Sequence, residues 1–158
     1  MAVDAETFKR ALGSWATGVT IVTSQVGDLR HGMTVSAFNE VSLEPPLVLI
    51  CADKTSNTLG VIQQAGAFTV SVLSSRQDEL SGLFANKQKE AIRFDGLDCK
   101  LGATGCPRIP GALVWLDCSV HQAVDAGDHI VYIGRVEEAE VQDLGPLIHF
   151  RGRYGEIA

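Results

Sequence analysis

The run from Gly32 to Asn39 constrains this chain more than any other stretch. Side chains alternate across a strand, so Thr34, Ser36 and Phe38 share one face while Met33, Val35 and Ala37 share the other. One face therefore carries short hydroxyls where a core strand would carry leucine or isoleucine. Pro45-Pro46 then turns the chain, and Leu47 to Ala52 is apolar throughout, the pattern of a strand buried on both faces. Thr55-Ser56-Asn57 follows, opening an apolar-periodic segment with Leu59, Val61 and Ile62. These residue types make good helix N-caps, and a helix start with free N–H groups also binds phosphate. On one reading the stretch is a solvated strand face followed by a plain cap. On the other it forms the wall and anchor of a pocket for a phosphorylated, partly polar ring compound.

With 158 residues the chain reads as a single domain, 1–158, long enough for its own core. A net charge of −6 argues against a nucleic-acid partner, while leaving room for small local basic clusters such as Arg151-Gly152-Arg153. No apolar run reaches the ~18 residues of a membrane span. The start, Met1 to Glu6, is acidic and lacks the basic-then-apolar layout of an export signal, so a cytoplasmic location is expected. Cys51, Cys99, Cys106 and Cys118 form no C-x-x-C pair, so no metal site is expected. Cys99 and Cys106 are close enough in sequence to bridge, but a reducing compartment favours four free thiols, with Cys51 and Cys118 as small core residues.

Asp4 can cap a first helix on which Phe8, Ala11, Leu12 and Trp15 share a face. Val19 to Ser24 alternates as a strand, and Gly27-Asp28 turns it into a hairpin with Arg30–Asn39. After Leu47–Ala52 the pattern predicts a helix over 58–65 ended by Gly66, a strand over 67–73 and a helix over 77–85. From Asn86 to Pro110 the periodicity fails, leaving a long loop with one turn of helix near Ala91-Ile92, and such loops usually cover something. Residues 112–124 and 129–141 form two long strands, Leu147 to Phe150 a last one, and 151–158 a polar tail. About seven strands, mostly joined by hairpins, against two or three short helices favour an antiparallel closed or nearly closed barrel. A Rossmann sheet is disfavoured, since no Gly-x-Gly-x-x-Gly turn occurs.

The second informative run is Gly127-Asp128-His129 through Gly134-Arg135-Val136. Gly127-Asp128 suits a tight hairpin turn, which leaves His129 at the rim of a strand with its ring open either to solvent or to a ligand. Gly134 inside the strand marks a bulge or a close backbone approach. This Gly-Asp-His-x-x-x-x-Gly-x-Val pattern resembles the signature of the short-chain flavin reductase family, the partners of two-component flavin-dependent monooxygenases. Other segments match in order: Phe8 to Gly13, Ala16 to Thr23, Gly32 to Phe38, Ser42-Leu43-Glu44-Pro45-Pro46-Leu47-Val48, and Arg151-Gly152-Arg153-Tyr154. The resemblance spans nearly the whole chain.

It implies a mostly β homodimer with a few short helices, an antiparallel split β-barrel of the FMN-binding type. The barrel would bind FMN or FAD, reduced by NADH or NADPH, and pass reduced flavin to a monooxygenase. Carried over, Thr34, Val35, Ser36 and Ala37 are similar to the strand beside the isoalloxazine. Ala52, Asp53, Lys54, Ser56, Asn57 and Thr58 match the segment holding the ribityl chain and phosphate, and Lys54 is a candidate donor to the flavin's polar edge. Phe84, Ala85 and Lys87 sit where the family has Phe-Ala-Gly and a basic residue, although Asn86 replaces that glycine. His129 resembles the nicotinamide-side histidine, and Tyr154 the residue covering the ring. An electron carrier of the same fold without nucleotide turnover is the alternative, and a plain β-barrel interaction module a third reading.

Overall fold

The computed structural model describes residues 2–157. Helix α1 spans Ala5–Gly13, and Asp4 caps it by accepting a hydrogen bond from the Thr7 N–H at 2.9 Å. Strands follow at Thr17–Gly18 (β1), Thr20–Val26 (β2), Leu29–Val35 (β3), Phe38–Ser42 (β4) and Leu47–Asp53 (β5). Then come α2 (Asn57–Ala65), β6 (Ala67–Val72), α3 (Asp78–Ala85) and a 3₁₀ segment, Lys87–Ile92. The long hairpin β7 (Val114–Ala126) and β8 (His129–Val141) precedes β9 (Ile148–Phe150) and β10 (Arg153–Gly155). The polar tail expected after Phe150 thus contains a strand, which pairs Tyr154 with His149.

Seven strands form one antiparallel sheet in the order β3-β2-β6-β7-β8-β5-β4, and β1, β9 and β10 form a small second sheet. The edge strands β3 and β4 are consecutive in the chain, separated only by Ser36-Ala37. The continuous strand expected over 30–39 is therefore broken. Its first half bonds β2 and its second half bonds β5, so the chain crosses the seam of a barrel that does not close. The split barrel that the motifs implied is what the sheet order delivers.

Inside the barrel, Val22, Ile50, Phe68, Val70, Cys118 and Tyr132 pack as one core. Gly134 lets that core close, because a β-carbon there would meet the Phe68 ring at 2.5 Å. A second core gathers Ile21, Leu73, Phe84, Ile109 and Leu147 beneath α3 and the 86–110 segment. That segment is tied down by Asp117, fully buried on β7, which accepts from Arg108, from the Ala103 N–H at 3.0 Å and from the Thr69 hydroxyl at 2.9 Å. A β-carbon at Gly102 would strike the same carboxylate at 2.0 Å, so only glycine lets the loop approach. The four cysteines are free; Cys106 and Cys118 are buried, and burial pushes the Cys118 thiol up to about 12.

Two expectations change. β5 is buried on one face only: Val48, Ile50 and Ala52 point inward, while Leu47, Leu49 and Cys51 remain half-buried on the outer face. Cys51 thus lies on the outer face of β5 and is not a core residue. The first helix ends at Gly13 and leaves Trp15 beyond it; no α1 residue is buried, and Phe8, Leu12 and Trp15 are 51%, 58% and 75% exposed. No helix of the described residues is long and apolar enough to cross a membrane.

Candidate functional site

The end of β5, the head of α2 and the seam lie side by side. At the seam, the Cys51 N–H donates to Ala37 O at 3.0 Å, placing Ser36 and Ala37 along the β5 edge. Both residues are exposed, and among the described residues their own N–H groups have no hydrogen-bond partner. Ser56 ties the turn to β3, its hydroxyl 3.3 Å from the Met33 sulfur, and it caps α2 by accepting from the Thr58 N–H at 3.3 Å. The two places expected to form wall and anchor therefore adjoin.

The turn Asp53-Lys54-Thr55-Ser56 has a rigid internal structure. The Thr55 N–H and hydroxyl both donate to Asp53 at 2.8 Å. Those bonds, the N–H first, hold the Asp53 carboxyl below the ordinary carboxylate range. Lys87, delivered by the 3₁₀ segment, donates to the Thr55 hydroxyl at 3.0 Å and forms no ion pair among the described residues. A cation, steered by the Thr55 hydroxyl, and a helix start thus share one spot, a pairing suited to a phosphate. Asn57 is turned toward Glu90, with its amide 3.0 and 3.2 Å from the two carboxylate oxygens.

His129 opens β8 directly after the Gly127-Asp128 turn and stands opposite Asp53 in the ladder. Its Nδ1 lies 2.7 Å from the Asp128 carboxylate, and the His129 imidazole holds the Asp128 carboxyl low. The Lys54 N–H donates to Asp128 O at 3.0 Å, which locks the hairpin tip to the β5 turn. The rim position expected for this histidine is the one observed, 38% exposed at the side chain.

Other expected residues are placed differently. Val35, Ala52, Thr58 and Phe84 turn their side chains into the interior and can offer only backbone to a ligand. Phe84 in particular packs edge-on against Phe94 at 5.2 Å. Lys54 is committed to Asp125, 2.9 and 3.0 Å away, and not to the slot. The Thr34 hydroxyl donates to Ser81 O at 2.6 Å, and Ser81 Oγ in turn meets Tyr154 Oη at 2.7 Å, so both expected contacts brace α3. Ala85 is exposed at the end of α3, and Asn86 keeps a negative φ of −88° while capping the 3₁₀ segment. The sequence reading missed Arg93, which is buried between Gly32 and Asn86 through contacts that no local pattern reveals.

Residues 12–158 match the flavin reductase like domain family, and the chain belongs to that family. It is 40% identical over 159 residues to a flavin reductase of Pseudomonas putida, covering 99% of this chain and 92% of the relative. It is also 40% identical over 153 residues to the reductase component of a Thermus thermophilus 4-hydroxyphenylacetate 3-monooxygenase, covering 96% of each. Among solved structures it resembles a Streptomyces globisporus NADH:FAD oxidoreductase in complex with NAD and FAD fragments. That similarity has a TM-score of 0.91 at 34% identity, over 100% of this chain and 97% of the other.

Proposed function

We propose that this protein passes a hydride from NADH or NADPH to FMN or FAD and supplies the reduced flavin to a partner monooxygenase. The observation that carries the reading is that two free seam N–H groups, a lysine–hydroxyl pair at a helix start and a rim histidine all adjoin the end of β5, in a chain of the flavin reductase like family. The bound flavin and nicotinamide supply the hydride chemistry themselves. The chain's part is to bind and orient. Ser36 and Ala37 donate their N–H groups to the polar edge of the ring, and their small side chains leave its face open. Lys87, oriented by Thr55, and the head of α2 hold the phosphate. Asp128 fixes the His129 ring through Nδ1, which leaves Nε2 to position the nicotinamide carboxamide.

Relatives named as reductases favour turnover over the carrier alternative. Anaerobic mixing of the protein with NADH and FMN should bleach the oxidised-flavin absorbance within the mixing experiment. Persistent oxidised flavin would leave only the carrier. His129→Ala is expected to raise the KM for NADH roughly tenfold or more while FMN affinity stays within about twofold. Parallel loss of both would refute this division of labour.

The exposed Phe8, Leu12 and Trp15 and the half-buried outer face of β5 and β8 (Leu49, Cys51, Val131, Ile133) favour a homodimer that covers them. Light scattering should give twice the chain mass, and Leu12→Glu with Trp15→Glu should return the monomer mass. A monomeric parent protein sinks the dimer. Four free thiols and dependence on reduced nicotinamide suit a cytoplasmic location.

A further inference from the structure

The hairpin tip that carries His129 has few neighbours to hold it. β7 is paired with β6 only as far as Ser119, opposite Ala67, so its outer end is bordered by β8 alone. Every residue from His121 to Asp128 is exposed. On the other side β8 is paired with β5 up to its first residue, where His129 faces Asp53 in the last rung. The phosphate anchor sits past that rung, on the turn between β5 and α2. The histidine and the anchor thus stand on two separate loops, whose relative placement the ladder no longer fixes.

One residue joins them. The Lys54 N–H donates to Asp128 O at 3.0 Å, and the Lys54 ammonium meets the two Asp125 carboxylate oxygens at 2.9 and 3.0 Å. Because β8 lies between β5 and β7 in the sheet, the ion pair spans the start of the strand that His129 opens, and it grips the far arm of the hairpin. Among the described residues it is the sole ion pair between the turn and the hairpin. Its side chains are 37% and 75% exposed, so it adds little to global stability. What it restricts is where the tip lies. Displacements of about 1 Å already cost reacting groups their alignment, so a weak pair can govern a rate.

We propose that Lys54 is a positioning residue for hydride transfer, acting with Asp125 to hold the His129 hairpin in register with the flavin-binding turn and touching neither flavin nor nicotinamide. The proposal rests on the flavin reductase reading above. Without the clasp His129 and the anchor both remain, so each ligand still binds. Only the alignment that the transition state requires is diluted among other tip positions. The loss therefore falls on the rate at saturating NADH and not on its KM.

Anaerobic stopped-flow on the full chain, with FMN and NADH, tests it in Lys54→Met, in Asp125→Ala and in the exchange Lys54→Glu with Asp125→Lys. Each single variant should bleach flavin about tenfold more slowly at saturating NADH, with the KM for NADH and the affinity for FMN within about threefold of the parent. Unfolding midpoints should stay within about 3 °C, as the loss of an exposed pair allows. The exchange restores the pair with its charges reversed and should recover the rate to within about threefold of the parent. Single variants as fast as the parent, or slow ones that the exchange does not rescue, overturn the proposal. So does weaker FMN binding in Lys54→Met alone, which would put the lysine on the flavin. A parent protein that leaves flavin oxidised overturns the flavin reading itself, and the clasp's role with it.

Discussion

Asp117→Ala is expected to lower folding stability by about 3–5 kcal/mol, the range for breaking a buried ion pair by removing one partner. Three donors converge on this carboxylate: the Arg108 guanidinium, the Ala103 N–H and the Thr69 hydroxyl. Truncation strands the last two without partners and frees the segment that covers the second core. Arg108 keeps Glu138 and Glu140 as neighbours, so the damage centres on the loop. Urea denaturation followed by tryptophan fluorescence measures it, and a loss under about 1 kcal/mol would show that the network is idle. The same group sets an acid limit. Burial alone would push the Asp117 carboxyl up, but the bonds from Arg108, Ala103 and Thr69 together outweigh burial and hold it below its ordinary value. Its contribution is therefore present above the unfolded carboxylate pKa of about 4 and is lost as pH falls through the lower folded value. In Asp117→Ala the acid side of the stability profile should flatten.

Lys87→Glu is expected to weaken FMN binding by roughly thirty- to a hundredfold while changing riboflavin binding by less than about twofold. Lys87 is the cation that bonds Thr55 at the head of α2, and it has no ion-pair partner to lose among the described residues. Its reversal therefore acts on an incoming phosphate and not on the fold. Riboflavin lacks that phosphate and serves as the internal control. Equal weakening of both ligands would place the phosphate elsewhere.

Much of the fold was legible because its signals are local. Alternation located β2, apolar β-prone runs marked β6 and β8, the Gly127-Asp128 turn announced its hairpin, and Asp4, Ser56 and Gly66 marked helix ends as expected. The break at Ser36-Ala37 was not legible. Alternation runs through it undisturbed, and only the demands of two different neighbouring strands divide it. The hydroxyl-lined face was misjudged for the same reason: Thr34 is spent on Ser81, a residue 47 positions away. Of the candidate site, the β5–α2 turn and His129 were readable from residue type and position. The buried Arg93 was not, since its partners Gly32 and Asn86 lie on either side of a contact that exists only after folding.

The two-residue crossing between the outermost strands of the large sheet has a consequence for assembly. Strands that are neighbours along the polypeptide end up bonded to opposite borders, so neither Ser36 nor Ala37 acquires its place until the intervening five strands are laid down. No fragment of the chain can carry a working half of the crevice, and binding competence should arrive in one step with the last strand to dock.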